Sequence, residues 1–312
     1  MSFFRRIFGG NQPNDNLRII ITRHGERADL ALGKQWLNKM LQNGGQDPRI
    51  PPLAQRPQFR DWYYDPPLTI DGEHQSANVG QKLLQMGYQI DYCYSSPAYR
   101  SVQTATKILE SQGRKTVPIN IEPGLFECPS WYAGKPFVFV PPEYLAADRR
   151  FNVNPGYTPL YSGVDPTEDE RVYYRRSRHL IREIIRAHKH QGGTVLLSAH
   201  GGSIEAVTRG LRGLRHRRGR PEHLIQEALR VDYCNFAILE RDARTRDWIV
   251  RLPEAHNAPY GAELTRQSII PLYGISTRHI TPQTVGQLRP HPSSHSHRRR
   301  HRHQNQYHHH HR

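Results

Sequence analysis

Short apolar segments alternate with amphipathic helical ones from residue 17 to residue 252, and this alternation restricts the fold more than any other feature of the chain. Strand, helix and strand in repetition place parallel strands in one sheet with crossover helices on its faces. Leu17 to Thr22 reads as a strand buried on both sides, followed by a helical pattern from about Ala28 to Leu41. Thr69 offers an N-cap for a helix running through Met86 and stopping at Gly87. Ile90 to Ser95 is a second strand, and beyond Pro97 a helix sets Val102, Ala105, Ile108 and Leu109 on one face until Gly113. Val117 to Ile121 is a third strand. Residues 123–167 are rich in Pro, Gly and aromatics, without periodicity, and read as an insertion or lid. A helix from about Glu168 to His190 follows, then a fourth strand from Thr194 to Ser198, a helix from Ser203 to Leu211, and an edge hairpin of Asn235 to Leu239 with Trp248 to Leu252. The expected fold class is α/β: a three-layer α/β/α arrangement around a mostly parallel sheet.

Charge qualifies this picture at the ends. The chain of 312 residues carries a net +16. Residues 291–312 hold five arginines, nine histidines and no acid, so +11 remains on the rest. Such a composition cannot bury enough apolar surface to offset chain entropy, so residues 283–312 are expected to be a disordered basic tail and 1–16 a flexible N-terminus. The tail's arginines suit weak contact with nucleic acid or an anionic membrane. The apolar runs are far shorter than the roughly 18 residues of a transmembrane helix. Three scattered cysteines make neither a disulfide framework nor a CxxC metal site. The expectation is a cytoplasmic protein, with the nucleus left open, and no metal or other cofactor.

Three strands end alike, in a polar basic residue and then glycine, proline or a helix start: Arg23-His24-Gly25-Glu26-Arg27, Ser95-Ser96-Pro97-Ala98-Tyr99-Arg100 and Ser198-Ala199-His200-Gly201-Gly202. Ligands of open α/β sheets bind beyond the carboxyl ends of the strands. Two histidines and three arginines therefore converge on one crevice, a density of cations that only a dense anion needs.

These segments, with Asp65-Pro66-Pro67-Leu68-Thr69 and Glu122-Pro123-Gly124-Leu125-Phe126-Glu127, resemble the histidine phosphatase superfamily, or phosphoglycerate-mutase-like fold. The branch they resemble holds the suppressor-of-T-cell-receptor-signalling (ubiquitin-associated and SH3-containing) phosphatases and the insect ecdysteroid-phosphate phosphatases. The resemblance covers about residues 17–260, and the histidine phosphatase domain is expected over 17–282. It implies a phosphomonoester hydrolase working through a phosphohistidine, on a phosphorylated protein or a small, steroid-type ester. It also makes a homodimer a candidate state. Adaptor functions are not expected to carry over, since about sixteen residues precede the first strand.

The residue chemistry runs parallel to the resemblance. A neutral imidazole in line with a phosphoryl group takes it covalently if cations stabilise the oxygens. His24 is the expected nucleophile; Arg23, Arg27 and Arg100 are the phosphate-binding forks. His200 is expected to donate a hydrogen bond to the phosphoryl oxygens, and the helix after His24 to add its N-terminal amides. The resemblance assigns the general acid to Glu127, and Glu26 is the competing carboxylate. Gly201 and Gly202 are read as permitting a tight turn. Trp62, Tyr63, Tyr64, Trp131 and Tyr132 are read either as an aromatic pocket or as packing. The alternative function is a catalytically silent basic protein binding nucleic acid or anionic membrane.

Overall fold

The computed structural model describes residues 16–211, 221–242, 247–252 and 263–264. The expected N-terminal segment short of residue 16, the tail 283–312 and most of the Arg212–Arg220 cluster lie outside the described residues. The elements in chain order are β1 (Leu17–Arg23), α1 (Ala28–Ala31), α2 (Trp36–Gln42), α3 (Ile70–Gln85), β2 (Tyr92–Ser95), α4 (Tyr99–Ser111), β3 (Ile119–Ile121), α5 (Pro142–Ala147), α6 (Glu170–His188), β4 (Gly193–Ala199), α7 (Gly201–Leu211), α8 (Pro221–Arg230), β5 (Phe236–Arg241), β6 (Trp248–Arg251) and β7 (Glu263–Leu264). Among the described residues the sheet has seven strands in the order β3-β2-β4-β1-β5-β6-β7. β1 to β4 and β6 share one direction, β5 and β7 the other.

The three layers follow from strand alternation. Ile20 points to α3 and α4, packing with Val79, Leu83, Val102 and Ile108. Its neighbours Ile19 and Ile21 point the other way, to Leu180 and Ile184 of α6 and Val207 of α7. A strand covered on both faces loses the polar alternation of a half-exposed one, which is why β1 reads as an unbroken apolar run.

The sheet ladder continues one hydrogen bond past the strands. His24 N donates to Ala199 O at 3.0 Å, Ser96 N to Ser198 O at 2.9 Å and Glu122 N to Ser95 O at 2.8 Å. The residues that follow β1, β4, β2 and β3 therefore stand in one row along the carboxyl edge of the sheet.

Several local readings hold and others do not. The Thr69 hydroxyl caps α3 by accepting from Gly72 N at 3.0 Å, and Gly87 and Gly113 lie beyond their helices at positive φ. The expected helix over 28–41 is two short helices, because Gly33 sits between them at φ +81°, which an α-helix does not accommodate. The insertion is ordered by a carboxylate: buried Glu122 accepts from Gly124 N, Leu160 N and Tyr157 Oη at 2.8 Å each, and from Tyr161 N at 3.3 Å. It also contains α5, which had no periodic signal. The Gly201-Gly202 pair is not a turn. Both glycines open α7, where a Cβ would lie 2.5 Å from Ala228 O and 2.8 Å from the Trp131 ring respectively. They are needed for close packing rather than for unusual backbone angles.

The tightest approach joins α3 to the loop after β1. A Cβ on Gly72 would lie 2.3 Å from Glu26 O, and one on Gly25 2.4 Å from Gly72 O. Overpacking against backbone costs about 1–3 kcal/mol. Gly72→Ala is therefore expected to lower the melting temperature by about 2–12 °C, with reduced activity because the displaced loop carries His24. A melting temperature equal to the parent's, read by differential scanning calorimetry, contradicts this contact.

Candidate active site

His24 leaves β1 almost wholly buried, 3% exposed. Its Nδ1 is 2.8 Å from Gly25 O. A carbonyl only accepts, so Nδ1 carries the proton and the neutral ring presents its lone pair at Nε2. Burial, followed by the charges of Arg100 and Arg23, holds the His24 pKa well below the ordinary 6.5, so the ring is neutral across the physiological range.

Three guanidinium groups surround it. Arg23 lies with its guanidinium 4.4 Å from the centre of the Tyr233 ring and donates to Val231 O. Arg27 is held in a fork by Asp29, at 2.6 and 2.7 Å, which outweighs its burial and keeps it firmly protonated. Arg100, 1% exposed, comes from the first turn of α4. Its Nη2 donates to Glu127 Oε1 at 3.0 Å, Tyr132 Oη at 3.1 Å and His200 Nδ1 at 3.3 Å. Its Nε has no hydrogen-bond partner among the described residues. Behind it, Asp65 Oδ1 accepts from Tyr99 N at 2.9 Å and stands 3.9 Å from Arg100 Nη1. Burial pushes the Asp65 carboxyl up to about 6 against the pull of Arg100.

His200 is fully buried, its ring centre 5.5 Å from that of His24. Arginine only donates, so Nδ1 accepts from Arg100 and Nε2–H donates to Ser96 Oγ at 2.8 Å. Burial pushes its pKa down to about 3; Glu127 opposes the shift and the arginines add to it. The expected donation from His200 to a phosphoryl oxygen is thus not set up in this arrangement, since both nitrogens are already engaged.

Glu127 follows β3 on a loop gripped from behind. Arg176 of α6 donates to Gly124 O at 2.5 Å and Phe126 O at 2.8 Å, and is itself held by Glu168 at 2.6 to 3.1 Å. The Glu127 Oε1 atom accepts from Tyr132 Oη at 2.5 Å as well as from Arg100. Burial alone raises its pKa, but His200, Arg100, the Tyr132 hydrogen bond and Arg27 together bring it down to about 2. The carboxylate is therefore ionised.

All six expected residues, His24, Arg23, Arg27, Arg100, Glu127 and His200, meet here. Glu26 does not join them: its Oε1 accepts from Thr69 Oγ1 at 2.8 Å and its backbone from Thr69 N, so it braces the start of α3. Of the amides after His24, Gly25 N is taken by Thr104 Oγ1, Glu26 N by Gln75 Oε1 and Ala28 N by Pro67 O. Of the five aromatics, Trp62 is core at 1% exposure and Tyr63 faces solvent at 52%, while Trp131 packs on Tyr173. Tyr132 alone reaches the charged cluster. Tyr233, Ser96 and Asp65 were missed as site residues, and Tyr132 was read as pocket or packing without its bond to the charged cluster.

With this geometry in hand, comparison with known proteins is specific. The family model "Histidine phosphatase superfamily (branch 1)" matches residues 19–250. The chain belongs to the histidine phosphatase superfamily. Among similar members, human ubiquitin-associated and SH3 domain-containing protein B is 34% identical over 275 residues, covering 83% of this chain and 42% of the relative. Drosophila melanogaster ecdysteroid-phosphate phosphatase is 31% identical over 245 residues, covering 72% of this chain and 31% of that one. The chain thus spans less than half the length of these relatives. The crystal structure of the Bombyx mori ecdysone phosphate phosphatase in complex with tungstate superposes with a TM-score of 0.67 at 28% identity, covering 79% of this histidine phosphatase chain and 97% of that one.

Proposed function

We propose that this chain hydrolyses phosphomonoesters through a phosphohistidine on His24. The observation that carries the reading is the neutral His24 ring, its Nδ1–H tied to Gly25 O and its Nε2 lone pair set among Arg23, Arg27 and Arg100. Relatives named as ecdysteroid-phosphate phosphatases, and a tungstate complex of one of them, support a phosphate-ester substrate.

In the first step the His24 Nε2 lone pair forms a bond to phosphorus while the ester P–O bond breaks. The electron pair leaves with the alcohol oxygen, which takes a proton from Glu127 Oε2. The Nδ1–H stays on the ring, so the phosphorylated imidazole is cationic and remains a good leaving group. Water then attacks phosphorus, Glu127 takes its proton, the P–N bond breaks, and neutral His24 and inorganic phosphate remain.

The bound ester also resolves the electrostatics. A phosphate among the three arginines offsets the charges that keep Glu127 ionised, raising its proton affinity when a proton is needed. If the phosphate draws Arg100 away from His200 Nδ1, the Ser96 hydroxyl can donate to Nε2 and let the ring carry its proton at Nδ1, facing the phosphoryl oxygens. Permanent guanidinium charges supply what a metal supplies elsewhere, so no metal is required. Residues 123–167, which carry Glu127 and Tyr132, form the leaving-group side, and choice between aryl and alkyl esters resides there.

The wild type is expected to hydrolyse p-nitrophenyl phosphate in excess chelator. Glu127→Gln is expected to slow an alkyl phosphate at least about tenfold more than p-nitrophenyl phosphate, whose leaving group hardly needs a proton. Equal losses on the two esters remove Glu127 from the acid role.

A further inference from the structure

We propose that Tyr132 is the positioning residue for the proton-transfer carboxylate: its hydroxyl ties Glu127 Oε1 and Arg100 Nη2 together, so that Oε2 is the oxygen left to face the leaving group. The inference rests on Glu127 acting as the acid, and goes beyond it by adding a residue and assigning separate roles to the two carboxylate oxygens.

The geometry has three parts. First, the phenol is used on both sides: Oη donates to Glu127 Oε1 at 2.5 Å and accepts from Arg100 Nη2 at 3.1 Å. With Arg100 Nη2 also donating to it at 3.0 Å, Oε1 holds two donors. Oε2 makes no hydrogen bond among the described residues, and the Glu127 side chain keeps 15% of its surface open. A carboxylate with one oxygen pinned and one unoccupied can transfer a proton from a single direction.

Second, the backbone is bent to place the phenol. Tyr132 ends a 3-10 turn, Pro129–Tyr132, and the next residue, Ala133, lies at φ 50° and ψ 44°. A residue with a Cβ is disfavoured in that left-handed conformation, and strain of this kind persists where surrounding contacts hold it. Gly134 continues at φ +76°. The 3-10 turn between the two residues brings the phenol back onto the carboxylate five positions earlier, and the reversal after it returns the following chain so that Phe137 packs on the Tyr132 ring.

Third, the ring is held independently of its hydroxyl. The Tyr132 ring lies 5.4 Å from that of Phe126 and 5.2 Å from that of Phe137, and Phe126 packs edge-on to His200 at 5.2 Å. Removing only the hydroxyl therefore leaves the ring seated. The charged and titratable groups facing the Tyr132 hydroxyl and Glu127 are Arg100 from α4, His200 at the start of α7, Arg23 at the end of β1, Arg27 from the loop after it, and Tyr173 of α6.

The test is Tyr132→Phe beside Glu127→Gln, each assayed on p-nitrophenyl phosphate and on an alkyl phosphate across pH, with melting temperatures. For Tyr132→Phe, kcat on the alkyl ester is expected to fall about tenfold and on p-nitrophenyl phosphate about twofold or less, with KM little changed. A carboxylate that loses a donor holds its proton to higher pH. The alkaline limb of kcat for the alkyl ester should accordingly move up by roughly half to one pH unit, a shift that a packing role does not produce. Equal losses on both esters, or an unmoved limb, overturn the inference. If Glu127→Gln itself shows no leaving-group dependence, it is the acid assignment that fails; if Glu127→Gln shows it and Tyr132→Phe does not, only the role of Tyr132 fails. A Tyr132→Phe protein that melts many degrees lower would show that the hydroxyl serves the fold, and would also count against the proposal.

Discussion

His24→Ala is expected to lower kcat on p-nitrophenyl phosphate by about 10⁴-fold or more, to the level of background hydrolysis, because no other group near the arginines replaces a covalent nucleophile. Binding should survive. Arg23, Arg27 and Arg100 are each anchored by groups other than His24, namely Val231 O, Asp29 and the Glu127–Tyr132–His200 set. The variant should therefore still take up phosphate or vanadate. Among the described residues the ring's one hydrogen bond is to its own neighbour Gly25, so the melting temperature should shift by a few degrees at most. Residual turnover above about one part in a hundred would show that the nucleophile lies elsewhere.

Arg100→Lys carries the second largest expected loss, about 10²–10³-fold in kcat/KM, with Arg100→Ala worse. One guanidinium nitrogen here meets Glu127, Tyr132 and His200 at once, while Nε remains for a phosphoryl oxygen. An ammonium is a point charge on a flexible stem and cannot occupy both positions. Arg100→Ala also strips Glu127 and Asp65 of a buried counter-charge. With Arg100→Ala, Glu127 should rise from about 2 and Asp65 further above about 6, because in each the arginine favours the ionised form. A Lys variant within a few fold of the parent would show that Arg100 serves mainly as a charge and that the fork has been misread.

Much of this site is legible in the sequence because a parallel sheet converts separate segments into neighbours. Arg23-His24, Arg100 and His200 each follow an apolar run that can only be a buried strand, or the helix start after one, so their convergence follows once the alternation is recognised. Glu127 was reachable through the family resemblance, not through any local pattern. What stayed hidden depends on contacts far apart in sequence. Tyr233 stacks on Arg23 from the loop after α8, and Asp65 reaches Arg100 across 34 intervening positions' worth of fold to bond Tyr99 N. Tyr132 looked no different from Trp62, Tyr63 or Trp131, and only the 3-10 turn Pro129–Tyr132 brings it back to Glu127. One signal was present: a tyrosine just before Ala133-Gly134 and five residues after Glu127. The Gly201-Gly202 pair was misjudged for the same reason, since what excludes a Cβ there is Ala228 and Trp131, both distant in sequence. Gly33 was a local signal, and it breaks the helix expected over 28–41.

The most direct test of the central claim is chemical. Enzyme mixed with a ³²P-labelled phosphomonoester, quenched within a single turnover and digested, should yield one labelled peptide containing His24, with the label lost in acid and retained in base, as a phosphoramidate requires. The same experiment on His24→Ala should yield none. A label that survives acid, or that maps to any other residue, would contradict the phosphohistidine mechanism.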